Sequence, residues 1–209
     1  MMWETPLCKV VAVIIISTVS VTGCGSLLQP DVETEMTELR PGHYQVDPRH
    51  TTVLFKVGHL GLTKFVGRFN DFDATLDYDP ENPSAAKLDA IIRTASVDVN
   101  DAGLEGSLRG GSWFDSETFP EARFETTAAD LGKGNHARFR GDFTLLGVTA
   151  PITLDVVFNG GAFNMLTGRY TLGFSATGVI KRSTFGMDKY IPAVGDEVEI
   201  EVHAEFLKH

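Results

Sequence analysis

Ten residues near the C-terminus, 197–206, alternate without a fault. Val198, Ile200, Val202, Ala204 and Phe206 hold one phase, and Glu197, Glu199, Glu201, His203 and Glu205 hold the other. Successive side chains of a strand point to opposite faces, so this stretch makes one buried face and one wet face, as antiparallel sheets do. A helix would scatter the same residues around its circumference. The period of two recurs in Val53, Phe55 and Val57, in Phe139, Gly141, Phe143 and Leu145, in Ile152, Leu154, Val156 and Phe158, and in Tyr170, Leu172, Phe174 and Ala176. Segments 88–99 and 122–130 add two more strands. Asp79-Pro80, Gly132-Lys133-Gly134-Asn135 and Asn159-Gly160-Gly161 read as turns between neighbours.

A further strand runs over residues 64–78, and its phase changes. Phe65 and Phe69 are odd-numbered, whereas Phe72, Ala74, Leu76 and Tyr78 are even-numbered. A strand changes phase only by admitting an extra residue, which predicts a β-bulge near Asn70-Asp71. Residues 100–111 break the rule of two. Leu104 and Leu108 are four apart, Glu105 and Arg109 take the polar side, Asp101 caps the start and Gly110-Gly111 ends it, which is a short helix. The outcome is an all-β fold: an eight-stranded antiparallel barrel with one short capping helix. Closure removes the exposed edges that so many strands would otherwise leave.

The chain before residue 43 carries an address. Residues 10–16 read VVAVIII, an apolar run shorter than the ~20 residues that span a bilayer, and it fits the core of a signal peptide. Val21-Thr22-Gly23-Cys24 then places small residues before a cysteine, similar to a bacterial lipobox, in which the thiol is acylated and the chain is cut just before it. The alternative is a plain signal peptide with a chance cysteine. Residues 1–23 are thus expected to be a lipoprotein signal peptide. Residues 24–42, with Pro30, Pro41 and Gly42 and no hydrophobic period, are the acylated Cys24 and a flexible tether. Residues 43–209 are the barrel. The expected location is the bacterial cell envelope, facing the periplasm and held to a membrane by the acyl anchor.

Composition narrows the function. The net charge is −10 and no Lys/Arg cluster rises above that background, which argues against nucleic-acid binding. The two cysteines, Cys8 and Cys24, both precede the barrel, so the folded part has no disulfide and no thiolate metal site. Fourteen Phe against four Tyr and two Trp suit a dry interior. An eight-stranded barrel is just wide enough to fill with side chains or to hold one small ligand. Gly67 between Phe65 and Phe69, and Gly141 between Phe139 and Phe143, either enlarge the lumen or mark strand bends. No charged residue falls on the inward phase of the clearest strands, so a ligand there must be apolar along its length. The chain is not expected to be an enzyme. Gly173-Phe174-Ser175-Ala176-Thr177 lacks the last glycine of a nucleophile elbow, and the six His show no metal-binding spacing. The rival reading is a filled barrel acting as a non-catalytic interaction or scaffold module in the envelope.

Several motifs stand in a set order along the chain. They are Tyr44-Gln45-Val46-Asp47, Phe55-Lys56-Val57-Gly58-His59-Leu60-Gly61, Val66-Gly67-Arg68-Phe69, Leu108-Arg109 with Trp113-Phe114-Asp115 and Phe119-Pro120-Glu121-Ala122-Arg123-Phe124, Gly141-Asp142-Phe143-Thr144-Leu145-Leu146-Gly147-Val148-Thr149-Ala150-Pro151-Ile152, and Arg182-Ser183-Thr184-Phe185-Gly186-Met187. Each is weak alone; together, in this order and spacing across residues 43–208, they resemble the YceI-like family of periplasmic polyisoprenoid-binding, lipocalin-like proteins. Thr184 stands where the family often has Asp, and the acidic–His pair usual before Leu108 is missing. The resemblance implies a helix-capped lipocalin-like barrel with a tunnel for an isoprenoid quinone, a polyprenyl phosphate or a similar amphiphile, and no cofactor beyond that bound lipid. A homodimer is compatible with this reading.

The candidate ligand-binding residues follow. Phe55, Val57, Phe65, Phe69, Phe143 and Phe174 are core first and ligand wall second. Trp113 and Phe114 seal one end of the core, and Leu108 and Phe185 join the set from the motifs that carry the resemblance. His59 either meets a polar head group or is satisfied by a backbone carbonyl. Arg182, beside Lys181, either pairs with a phosphate or quinone oxygen or holds the loop before Phe185.

Overall fold

The alternating stretches become strands, and short turns between them make chain neighbours into sheet neighbours. The computed structural model describes residues 30–209. The signal peptide and Cys24 lie outside the described residues. The strands are β1 (Gly42–Val46), β2 (Thr52–His59), β3 (Thr63–Phe69), β4 (Phe72–Tyr78), β5 (Lys87–Arg93), β6 (Val97–Asp98), β7 (Glu121–Leu131), β8 (His136–Leu145), β9 (Val148–Asn164), β10 (Arg169–Lys181) and β11 (Val194–Lys208). The helix α1 (Ala102–Arg109) lies between β6 and β7, and the Asp101 carboxylate accepts a hydrogen bond from Leu104 N at its start. All pairings are antiparallel, and β11 pairs with β10 on one side and with β1 and β2 on the other.

Three arms are interrupted: β1 continues into β2, β3 into β4, and β5 into β6. The eleven segments therefore make eight arms, and the ring is closed. The phase change expected near Asn70-Asp71 is real, but it is a break and not a bulge. β3 pairs with β2 and β6, whereas β4 pairs with β1 and β5, so each piece keeps its own register. The neighbouring arm breaks opposite, at a 3-10 turn over Thr94–Ser96, and bonds across the gap from Arg93 N to Asp71 O (2.9 Å) and from Asn70 N to Ser96 O (3.2 Å).

The sequence misplaced one turn. Asn159-Gly160-Gly161 lies inside β9, and the chain reverses at residues 165–168. Gly160 (φ 142°) takes up the register shift against Gly173 and Phe174. A Cβ on Gly161 would sit 2.6 Å from Tyr170 Oη and 2.8 Å from Leu39 Cδ2, so the second glycine gives room for packing, not reversal.

Part of the expected tether is packed. Glu33 bridges Gly161, Met36–Glu38 form a 3-10 turn, and Leu39 is 3% exposed. Tyr44 Oη donates to Arg40 O and Tyr78 Oη donates to Met36 O (2.7 Å), while the Arg40 guanidinium lies 4.6 Å over the Tyr170 ring. Burial pushes the Tyr44 hydroxyl well above its ordinary value, with Tyr170 adding to the shift, so it remains a donor. These contacts make a plug over the end of the barrel where β1 begins, here termed the base.

Candidate functional site

Inward-facing side chains of the eight arms enclose a cavity of about 430 Å³, within the ordinary range for a small-molecule site. Its wall is overwhelmingly apolar because each strand presents one phase to it. Val53, Phe55 and Val57 come from β2, Phe139 and Phe143 from β8, and Val198, Ile200, Val202 and Phe206 from β11. Aromatic rings lock against one another around it. Phe55 and Phe69 are 5.6 Å apart, Phe69 meets Phe114 edge-on at 5.4 Å, and Phe174 meets Phe206 edge-on at 5.9 Å.

Gly67 and Gly141 do not enlarge this space. The Phe55 ring occupies the place of a Cβ on Gly67, and the Phe124 ring and Glu125 carbonyl occupy that of Gly141. Gly141 also lies at the β7 register shift between Thr126 and Ala128, where a bend is required.

Eleven of the twelve residues expected to meet ligand line the cavity: Phe55, Val57, His59, Phe65, Phe69, Leu108, Trp113, Phe114, Phe143, Phe174 and Arg182. Phe185 does not. It is buried behind the wall, edge-on to Phe143 at 5.5 Å, and supports that ring. His59, Leu104 and Tyr190 reach both cavity and solvent, and they mark the mouth at the end opposite the plug. Helix α1 covers part of that end with Leu108, and Trp113 packs on Tyr190 (6.2 Å between centroids).

Arg182 is the one buried cation among the described residues, at 2% exposure, and its partners are backbone carbonyls. Its Nε donates to Gly195 O (2.8 Å), Nη1 to Met187 O (2.8 Å), and Nη2 to Lys189 O (2.9 Å) and Val194 O (2.8 Å). Its guanidinium also lies 5.6 Å over the Trp113 ring. Burial lowers its pKa from the ordinary value, while Asp196 and Asp188 favour the charge. The structural alternative is therefore the one observed: Arg182 holds the loop of residues 186–194 that forms one side of the mouth. Thr94, also on the wall and 1% exposed, uses its hydroxyl on Phe119 O (2.8 Å). Among the described residues no three His, Cys, Asp or Glu side chains gather as metal ligands.

The sequence did not single out Ile92, Phe124, Met187, Tyr190, Val194, Val198, Ile200 or Val202 as wall residues. Period two marks most of them as inward, and that signal was available. Met187 and Tyr190 sit in a loop, where no period exists to find them.

A closed eight-stranded antiparallel barrel, capped by one helix and built around an apolar cavity, is the class of protein that fold and site define. The model of the YceI-like domain matches residues 44–206, and the chain belongs to that family. A UPF0312 protein of Yersinia pestis is 37% identical over 164 residues, 78% of this chain and 84% of its own length. Another, of Pseudomonas paraeruginosa, is 35% identical over 167 residues, 79% and 86% of the two chains. Among solved structures, Burkholderia cenocepacia BcnA superposes with a TM-score of 0.70 at 27% identity, covering 77% of this chain and 98% of that one. The Campylobacter jejuni YceI protein gives 0.65 at 28%, covering 74% and 91%. A polyisoprenoid-binding domain from Saccharophagus degradans shares the fold at 13% identity, with a TM-score of 0.60 over 81% and 100%.

Proposed function

We propose that this chain binds one long-chain isoprenoid or similar amphiphilic lipid, of quinone or polyprenyl type, in the barrel lumen. It carries or stores that lipid on the periplasmic side of the cell envelope, held to a membrane through an acylated Cys24. One observation carries the reading: an apolar cavity of about 430 Å³ is plugged at the base and open at the mouth. The tail lies along Phe174, Phe206 and Val202 toward the base, and the polar head sits at the mouth near His59 and Tyr190. The polyisoprenoid binding of the Saccharophagus degradans domain, which has this architecture, supports the same ligand class.

The energetics favour a long tail. Burial contributes about 0.8 kcal/mol per methylene, and lost translational freedom and tail ordering offset part of it. Among the described wall residues, Arg182 is spent on backbone carbonyls and the exposed Asp73 accepts from Gln45 Nε2 and Ala74 N, so selectivity is expected to come mainly from length. The role is binding, not catalysis.

A series of prenyl quinones of increasing tail length tests this by titration. Affinity is expected to rise with each isoprene until the lumen is full. Ala176→Trp, placed on the wall between Val156 and Val202, is expected to reject the longest members first. Absence of binding at every length overturns the proposal and leaves the interaction-module reading.

A further inference from the structure

The base of the barrel carries an exposed apolar corner that the cavity does not use. At the β9–β10 turn, Phe163, Met165 and Leu166 are 48%, 66% and 79% exposed. Beside them runs a shallow groove lined by Arg49, His50, Leu166, Thr167, Arg169 and Leu207. Arg169 makes no ion pair among the described residues. Arg49 and His50 share the Asp47 carboxylate, and Glu205 lies 3.9 Å from His50. The corner thus pairs protruding apolar side chains with one unengaged guanidinium and a second that is 73% exposed.

The path of the chain indicates what lies over it. Glu33 and Gly161 exchange two backbone hydrogen bonds of 2.8 and 2.7 Å in the antiparallel sense. The antiparallel sense means that at Glu33 the upstream direction of the chain points along β9 toward Met165 and Leu166. Cys24 is nine residues upstream, a reach of at most about 30 Å, and Leu166 is five residues beyond Gly161, about 16 Å along a strand. The mouth lies at the far end of β10, whose 13 residues extend about 40 Å.

We propose that the β9–β10 tip and its groove are the surface by which this barrel sits on an anionic phospholipid bilayer, with the base toward the membrane and the mouth away from it. The proposal rests on the reading of Cys24 as an acyl anchor. A body of net charge −10 is repelled by an anionic surface, so contact has to be local. Met165 and Leu166 enter the interface while Arg169 and Arg49 meet headgroup phosphates. Ligand then enters and leaves on the side turned from the anchoring bilayer, toward an acceptor in the periplasm or the opposing membrane.

The test uses the full chain, expressed from Met1 and mixed with phosphatidylethanolamine–phosphatidylglycerol vesicles. Leu166→Cys and Leu62→Cys, the latter at the mouth, are each labelled with NBD, and the parent chain labelled alike supplies the background. Flotation reports anchoring, and emission reports which end touches lipid. The expected result is co-flotation of all three chains, with a blue shift at position 166 and none at position 62. Arg169→Glu is expected to reduce that shift, by about fivefold in the inserted fraction per unit of charge, and added salt is expected to do the same. Co-flotation with the shift at position 62, at both positions or at neither overturns the orientation while leaving the anchor intact. Failure to float overturns the docking and the anchor together.

Discussion

Two buried charges are anchored differently, and each makes its own prediction. Arg182 satisfies four backbone carbonyls of the mouth loop with one planar fork. Arg182→Ala leaves those carbonyls without donors and is expected to cost about 1–3 kcal/mol for each one that stays dry. Chemical denaturation reads the loss, and faster amide exchange over residues 186–194 locates it. Arg182→Lys is not expected to rescue, because one ammonium has three donors and no fixed fork. Asp47 sits 3% exposed in the break between β1 and β2. Burial alone would raise its carboxyl, but hydrogen bonds from His50 and Arg49, with the Arg49 charge, outweigh it and bring the pKa down to about 2. A pKa lowered on folding adds stability above the unfolded value of 3.8 that is lost as the pH falls toward 2. Unfolding followed between pH 5 and 2 should show that loss in the parent and a flatter profile in Asp47→Asn. An unchanged profile would mean the carboxylate contributes nothing there.

At the scale of elements, period two was a reliable guide wherever a strand has one wet face and one dry face. β11, β8 and the Phe72–Tyr78 arm fall where the alternation puts them, and the helix falls where Asp101 and Leu108 put it. The failures share a cause: local composition does not report a partner far along the chain. Gly160-Gly161 looks like a turn in sequence, yet its glycines serve the register shift and the packing of Tyr170 and Leu39. Residues 33–40 show no period because they form a plug: Leu39 is buried, and the Met36 and Arg40 carbonyls and the Arg40 guanidinium meet tyrosines from three strands. Leu39→Ala is expected to destabilise by about 2–5 kcal/mol and to open the base, so that a bound lipid exchanges faster. Thermal melts and stopped-flow ligand release separate those effects. Unchanged release from a destabilised variant would assign the plug to stability alone. The cavity wall was legible on β2, β3 and β8, whereas Phe185 was misassigned because its motif shows that it is buried but not behind which side chain.

For the whole molecule, closing the ring and leaving room inside it are separate properties. The ring of hydrogen bonds accounts for a closed barrel, in which the two-residue β6 is paired on one side only, and a filled interior would satisfy it equally well. What distinguishes this chain is that the apolar faces of eight arms leave a space they do not fill. An empty apolar cavity costs stability in proportion to its size, so occupancy should stabilise the fold. Binding by a ligand at 100 times its Kd raises stability by about 2.7 kcal/mol, which should appear as a higher melting temperature in the loaded chain than in one stripped with solvent. Equal melting temperatures would mean that the space contributes no binding energy.

The most direct measurement is to purify the protein from its membranes under native conditions, extract it with organic solvent and identify the extract by mass spectrometry. The parent chain is expected to yield a long-chain prenyl amphiphile in stoichiometric amount, and Ala176→Trp much less of it. A parent extract no richer in such lipids than that of an unrelated envelope protein prepared alongside would contradict the account.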